Sequence, residues 1–294
     1  MKKYTYILFF LFIAFASCES DEGNDTGFDD SNPVSGLVKI QDFEDEDSPY
    51  TISLYNETGN LQLGYTKVYF TVKDKEGNYI SDAVLSAFPE MDMGIAKHST
   101  PRSEITPVTG KTLYEAYYSF LMYSGQGSGI WYYDIQYTIG NVTGNITDAV
   151  IDVKNAFRSD GVTDRKVVQS LVAIDGSEKR YVVSLVEPLN PKVGANQISA
   201  YVHERIDADT YLPVENFTLK IDPRMPSMGN HSSLNNVDLT WDAANRIHKG
   251  TVNFSMTGYW KLNFILLNEE GETLYGNPVT ESVQSSSLYF EVEF

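Results

Sequence analysis

Methionine and histidine occur together in two short segments that interrupt strand-like sequence, FPEMDMGIAKHSTP (88–101) and DPRMPSMGNHSS (222–233). The candidate donors are Met91, Met93 and His98 in the first segment, and Met225, Met228 and His231 in the second. Thioether and imidazole groups together suit Cu(I), which prefers soft ligands and tolerates low coordination numbers. The two segments therefore predict metal-binding loops. A loop plugged by methionine, which fills gaps well, is the alternative.

The two segments belong to a longer internal repeat. Residues 50–99 align with residues 180–232, strand on strand, and both stretches end in a Pro-x-Met…Met-Gly…His-Ser pattern. Every methionine after Met1 falls on a repeated position. Because a volume-conserving swap in a core usually costs less than about 1.5 kcal/mol, retention of methionine in both copies favours a role for the sulfur. We predict a tandem duplication whose boundary lies in the polar linker 158–166.

Met122 and Met256 are the remaining repeated methionines, and both precede a glycine-containing turn. Strand alternation predicts that Met256 ends the core side of its strand. The alternative is that each of them adds a sulfur ligand to the nearby loop. The last methionine lies five residues before the histidine in the first loop and three before it in the second, so the two sites need not be equivalent.

The other histidines and the repeated tryptophans have structural interpretations. His203 lies within a predicted strand and is expected to be a satisfied structural residue. His248 lies beside a hairpin turn and is expected to face solvent. Trp131 and Trp260 occupy equivalent positions and are expected to anchor the cores of the two repeats.

Period-two alternation dominates the chain after residue 35. Runs rich in Tyr, Val, Phe and Thr predict strands, and Gly- and Asn-rich turns separate them. The predicted strands include residues 66–74, 131–140, 196–206, 216–222, 250–256 and 260–268. No long stretch has helical periodicity. This pattern predicts an all-β fold of two tandem immunoglobulin-like β-sandwiches, at 36–157 and 167–294.

The first residues form an export signal rather than part of a domain. Residues 1–17 combine a short positive start with an apolar run too short to span a bilayer. The sequence FAS before Cys18 resembles a bacterial lipoprotein box, which implies cleavage there, lipidation of the thiol and tethering to a membrane. Residues 18–35 are polar and predicted to be a disordered acidic tether. Because Cys18 is the only cysteine, the mature chain can form no internal disulfide.

The tether also contains Ser20, Asp21 and Glu22, which resemble the export tag of surface lipoproteins in Bacteroidota. We therefore expect an outer-membrane lipoprotein exposed at the cell surface, with a periplasm-facing orientation as the alternative. The net charge of −18 argues against nucleic acid as a partner, because phosphate binding rests on Lys and Arg contacts. The sequence has no nucleophile elbow, zincin motif, Walker loop or cysteine pair, so we expect no enzymatic activity.

The second repeat resembles the YtkA-like domain, which is related to FixH-type proteins. The residues that carry this resemblance are Met225, Pro226, Met228, His231, Met256, Gly258 and Trp260. The first repeat departs from the pattern, because Asp92 replaces the proline and YSGQGSGIW lengthens the approach to Trp131. The resemblance covers about residues 36–294. It implies an immunoglobulin-like sandwich outside the cytoplasm, often near copper handling, that binds rather than catalyses.

The sequence thus predicts a membrane-anchored lipoprotein that binds Cu(I) through its Met/His loops. Its partners would be the membrane, through Cys18, and a protein that donates or accepts copper. The second loop is the better candidate, because it matches the family more closely. The alternative is a structural or adhesive accessory lipoprotein whose Met-rich loops contact a protein partner.

Overall fold

The structure is a computed structural model that describes residues 32–44 and 48–294. Cys18, the predicted signal peptide 1–17 and most of the predicted tether 18–35 lie outside the described residues. Within the described residues the chain forms twenty-two β-strands and two short 3-10 helices, and it contains no α-helix. The predicted all-β sandwich fold is confirmed.

The first eleven strands form the first repeat. They are β1 (Val38–Glu44), β2 (Thr51–Asn56), β3 (Leu61–Gln62), β4 (Gly64–Lys73), β5 (Val84–Asp92), β6 (Lys97–His98), β7 (Thr106–Pro107), β8 (Tyr114–Phe120), β9 (Ile130–Ile139), β10 (Val142–Ile151) and β11 (Val153–Lys154). One sheet has the order β1-β2-β4-β8-β7 and the other the order β10-β9-β5-β6. A 3-10 helix, Gln126–Ser128, precedes β9, and β3 pairs in parallel with β11.

The remaining strands form the second repeat. They are β12 (Val168–Val172), β13 (Arg180–Glu187), β14 (Gly194–Arg205), β15 (Tyr211–Pro213), β16 (Thr218–Met225), β17 (His231–Ser232), β18 (Val237–Asp242), β19 (Ile247–Phe254), β20 (Tyr259–Leu267), β21 (Thr273–Gly276) and β22 (Leu288–Glu293). The order β12-β13-β14-β19-β18 reproduces that of β1-β2-β4-β8-β7. Likewise β20-β16-β17 corresponds to β9-β5-β6. The repeats differ in that β18 also pairs with β16, which joins the strands of the second repeat into one eleven-stranded sheet.

Each repeat encloses its own hydrophobic core. Alternate residues of the strands point inward, so the cores are rich in Val, Ile, Leu and aromatic side chains. Trp131 and Trp260 are both 0 % exposed, which confirms that they are core anchors. Their rings pack on Phe120 at 5.1 Å and on Phe254 at 5.4 Å, respectively.

The segment 158–166 between the repeats is bound to the last strand of the second repeat. Glu291 of β22 is 4 % exposed and accepts hydrogen bonds from Arg158 Nη2 at 2.8 Å and from the Lys166 amide at 2.8 Å. The Tyr259 hydroxyl donates to the same carboxylate at 2.5 Å. The Ser159 amide donates to Glu293 Oε2 at 2.9 Å. Side chains of β22 therefore hold both ends of this segment.

The two repeats meet through the outer faces of corresponding sheets. In β4, β8 and β14 the core residues alternate with Tyr65, Tyr117, Tyr201 and His203, which therefore point away from the cores. The Tyr117 and Tyr201 rings stack at 4.3 Å with an angle of 16° between their planes. The Tyr65 ring lies 5.9 Å from the Tyr201 ring. A cluster of tyrosines thus forms the centre of the interface between the repeats.

A second contact joins the end of the first-repeat hairpin β5–β6 to the loop between β14 and β15. The Ser99 amide donates to the Ala208 carbonyl at 2.9 Å, and the Tyr211 hydroxyl donates to the Ser99 carbonyl at 3.3 Å. Arg102 Nη1 lies 3.5 Å from the Asp209 carbonyl oxygen. The backbone next to His98 is therefore held by the second repeat.

Candidate metal site

The first Met/His segment is a β-hairpin, not the irregular loop that the sequence predicted. Met91 lies in β5 and pairs directly with His98 in β6, and Asp92 pairs with Lys97. The Met93 amide closes the turn by donating to the Ala96 carbonyl at 3.0 Å. Directly paired residues project from the same face with Cβ atoms roughly 5 Å apart, and residues two apart on one strand share a face. The hairpin therefore brings Met91, Met93 and His98 to one side.

The imidazole of His98 has a defined orientation. The side chain is buried, and its Nδ1 lies 2.8 Å from the Ser99 carbonyl oxygen. A carbonyl only accepts hydrogen bonds, so Nδ1 carries the hydrogen and Nε2 keeps its lone pair. The ring also lies 5.5 Å from the Trp131 ring at 89°. Metal-binding histidines commonly fix their second nitrogen in this way, and His98 presents Nε2 as a ligand atom.

Met91 and Met225 each fill a space that a glycine leaves open. Met91 is 0 % exposed, and a Cβ on Gly129 would overlap its Cε and lie 3.2 Å from its Sδ. Met225 is 3 % exposed, and a Cβ on Gly258 would lie 2.7 Å from its Cε. Each glycine comes two residues before a core tryptophan. The repeated methionine and the repeated Gly-x-Trp pattern therefore fit each other, which supports packing as one reason for their retention.

Met122 and Met256 share a role that uses the backbone. The indole Nε1 of Trp131 donates to the Met122 carbonyl at 3.0 Å, and that of Trp260 donates to the Met256 carbonyl at 3.1 Å. The Met122 side chain packs against the first core. Met256 is 36 % exposed, so the prediction that it ends the core side of its strand is wrong. The reason is that β19 ends at Phe254, which is the last inward-facing residue.

The second Met/His segment repeats the pairing but exposes two of its three donors, Met228 and His231. Met225 pairs directly with His231, as Met91 does with His98. Between them the 3-10 helix Pro226–Met228 replaces the turn of the first hairpin. Met228 is 57 % exposed and His231 is also exposed. The structure brings Met225 and His231 side by side, whereas the Met228 side chain extends into solvent.

The two remaining histidines are both buried. His203 is 1 % exposed, and its Nε2 lies 3.3 Å from the Tyr117 hydroxyl across the interface between the repeats. His248 is 0 % exposed, so the prediction that it faces solvent is wrong. In β19 it lies an even number of residues from the core residues Val252 and Phe254, and it pairs with Ala200, so its side chain points to the same face. The alternation of β19 could have indicated this burial. Burial lowers the pKa of each imidazole to about 4.

The sequence interpretation missed the tyrosine cluster between the repeats. Tyr65, Lys67 and Tyr69 alternate with the core residues of β4, so aromatic rings occupy the face that usually carries polar side chains. The chain contains 20 tyrosines, and their presence on outward positions was the available signal. It could not indicate which other strand would cover them.

Comparison with family models and with curated proteins identifies no relative of this chain. No family model matches it, and no curated protein shows significant similarity. The resemblance to the YtkA-like domain therefore stays a prediction. Across residues 32–44 and 48–294, no three His, Cys, Asp or Glu side chains form a group able to hold a metal ion. The described part of the chain also has no helix with the length and hydropathy needed to cross a membrane.

The Gly129→Ala substitution tests the packing of Met91. Gly129 has an ordinary φ of −76°, so the added methyl group acts only through its clash with the Met91 side chain. We expect the free energy of unfolding to fall by about 1–3 kcal/mol. In a Met91→Ala background the same substitution should be almost neutral, as chemical denaturation of all four proteins would measure. Equal costs in both backgrounds would contradict the packing.

Proposed function

We propose that this chain is a non-catalytic, membrane-anchored copper-binding lipoprotein whose first Met/His hairpin binds Cu(I). The observation that carries the proposal is the Met–His pairing across the hairpin, which recurs in both repeats despite different spacing in sequence. In the first repeat the His98 Nδ1 donates to the Ser99 carbonyl, which leaves Nε2 as a ligand atom on the residue paired with Met91. The sequence favoured the second hairpin, whereas this geometry favours the first.

The chemistry of the donor set fits Cu(I) better than a hard cation. Thioether and imidazole are soft or borderline ligands, and few of them suffice for Cu(I). The carboxylates of the same hairpin are already engaged, because Lys97 Nζ lies 2.6 Å from Glu90 and 3.5 Å from Asp92. Oxygen ligands for a harder metal would have to leave these ion pairs. Burial of Met91 would also limit access of water to the bound ion.

The second hairpin is proposed as a weaker, accessible site. His231 is exposed, and no hydrogen bond to its ring occurs within the described residues. Ordering an exposed imidazole and the Met228 side chain on binding would cost conformational entropy. Such a site could exchange copper with a donor or acceptor protein. The proposed lipid anchor at Cys18 would keep both hairpins close to the membrane.

Anaerobic titration with Cu(I) against a competing chelator tests this function. We expect two sites of unequal affinity on the purified full-length chain, with the tighter one lost in His98→Ala and the weaker one lost in His231→Ala. Met93→Leu should weaken Cu(I) binding at the tighter site, because leucine has a similar side-chain volume but no sulfur. Thermal unfolding of each variant controls for folding. Absence of any site tighter than micromolar would refute the proposal.

Binding of a protein partner is the second candidate function. Exposed apolar side chains lie in and next to the second hairpin, with Met228 57 %, Leu234 73 % and Val237 57 % exposed. Exposed apolar patches of this kind often mark interaction sites. Under this function, exchange of methionine for leucine would have little effect, whereas Met228→Asp would abolish capture of the partner without affecting Cu(I) affinity.

A further inference from the structure

A cleft runs along the interface between the two repeats, and none of the Met/His donors lines it. One part has a volume of about 690 Å³ and is lined by both repeats, including Tyr65, Arg102, Tyr117, Tyr201 and Arg246. A second part of about 520 Å³ adjoins it and shares Tyr65, Lys67, Tyr201 and Asn245 in its lining. Strands β4, β8 and β14 supply the tyrosines of its walls, whereas Arg102, Ser103 and Glu104 lie in the connection between β6 and β7.

Two arginines in this cleft have no carboxylate partner among the described residues. Lys67 is paired with Glu115 at 2.8 Å. Arg102 instead packs its guanidinium 4.4 Å from the centre of the Phe88 ring and donates from Nη1 to Ser99 Oγ at 3.1 Å. Arg246 makes neither an ion pair nor a hydrogen bond within the described part of the chain. Arg246 is an exposed residue, so its guanidinium is accessible to a ligand.

The backbone of Arg246 adopts a conformation that usually favours glycine. Its φ is 52°, and it ends the turn between β18 and β19. Other turns place glycine at the positive φ, as at Gly77 and Gly271 with 88° and 82°, but Glu178 also has a φ of 57° in the turn between β12 and β13. A side chain larger than that of asparagine is uncommon in this region and indicates either strain or function. The charge of Arg246 reaches Tyr117, where it opposes the rise in the Tyr117 pKa that burial causes.

The cleft also offers ring surfaces and hydroxyl groups. The Tyr65 and Tyr201 hydroxyls have no hydrogen-bond partner among the described residues. Neither hydroxyl is among the buried polar atoms that lack a partner. Asn245 and Glu104 line the same space and supply amide and carboxylate groups. Aromatic rings beside a few polar groups are typical of sites that orient a small ligand.

We propose that this cleft binds an acidic oligosaccharide, with Arg246 and Arg102 holding a carboxylate and the tyrosines contacting the sugar rings. A guanidinium fork matches a carboxylate through two parallel hydrogen bonds. Asn245 and Glu104 would bind ring hydroxyls, which both donate and accept. Glu104 and Glu115 lie in the same cleft and would repel a dense polyanion. An acidic oligosaccharide fits better, because its sugar rings separate its carboxylates.

Calorimetric titration of the full-length chain in detergent, with a metal chelator present, tests this inference separately from copper binding. The probe is trigalacturonate, and its fully methyl-esterified form is the matched neutral ligand. We expect the acid to bind at least tenfold more tightly than the ester. Equal affinity of acid and ester, binding of hexaglutamate in place of the saccharide, or no binding at millimolar concentration would overturn the proposal.

Variants of Arg246 locate the site. Arg246→Ala should weaken trigalacturonate binding at least tenfold, whereas Arg180→Ala, which removes an exposed arginine outside the cleft, should leave it unchanged. Arg246→Gly should weaken binding and raise the melting temperature, because glycine tolerates the positive φ. Unchanged binding in Arg246→Gly would overturn the assignment of Arg246 to the ligand.

Discussion

Replacing Glu291 with alanine is expected to lower the free energy of unfolding by about 3 kcal/mol, because it leaves a buried network without its acceptor. The carboxylate is 4 % exposed and binds Arg158, Tyr259 and the Lys166 amide. Removing it leaves the Arg158 guanidinium without its ion-pair partner, although the Arg158 side chain is only 30 % exposed. The substitution also releases the segment 158–166 from β22. The expected loss of stability therefore comes from both the unpaired charge and the lost tertiary contact.

Chemical denaturation and limited trypsin digestion would measure this effect. The expected result is a lower unfolding midpoint together with faster cleavage at Arg158, Arg165 or Lys166. The matched control is Asp152→Ala, which removes the partner of Lys154 from an exposed ion pair with 57 % and 59 % exposure. Such a pair contributes about 0–1 kcal/mol. A Glu291→Ala protein as stable as the Asp152→Ala protein would contradict the role of the network.

Acidification from pH 7 to pH 4 is expected to destabilise the protein through His203 and His248. Burial lowers both pKa values from 6.5 to about 4, and the charge of His248 further lowers that of His203. The neutral imidazoles favour the folded state fully above pH 6.5. As the pH falls from 6.5 towards 4, the unfolded chain binds protons that the folded chain excludes, so stability is lost in that window. The loss amounts to roughly 3 kcal/mol for each histidine at pH 4.

Urea denaturation at several pH values would test this dependence. The slope of unfolding free energy between pH 6.5 and 4 should fall by about half in His203→Gln and nearly vanish in the double variant with His248→Asn. His231→Gln, which changes an exposed histidine, should keep the slope. Asp160 does not interfere, since hydrogen bonds from Thr163 and Val162 lower its pKa to about 2. A pH-independent wild-type stability would be inconsistent with buried neutral histidines.

The fold class could be predicted because alternation and turn residues act locally. Strands such as β4 and β20 have period-two patterns that bury one face. In β19 every second residue before Phe254 is expected to face the core, and this series includes His248. A position beside a turn favours exposure, but His248 lies within β19 opposite Ala200, so strand alternation decides which way its side chain points.

The candidate site could be predicted only in part. The sequence indicates the donor residues but not the strand register that determines which of them lie side by side. The spacing of Met91, Met93 and His98 predicts a loop, whereas backbone hydrogen bonds place Met91 opposite His98. The hydrogen bond from His98 to Ser99 likewise depends on backbone that Ala208 and Tyr211 hold from the other repeat. Contacts between distant segments, such as the stacking of Tyr117 on Tyr201, have no local pattern in the sequence.

The meeting of corresponding sheet faces has a consequence for how the cleft can vary. Two identical subunits related by a two-fold axis must place the same side chains on both walls of their interface. Here a single chain supplies both walls, so each wall can change independently of the other. Gly64 and Gly194 hold equivalent positions opposite Phe120 and Phe254, yet the next residue is Tyr65 in one repeat and Ala195 in the other. A single chain that supplies both walls thereby permits the two sides of the cleft to differ.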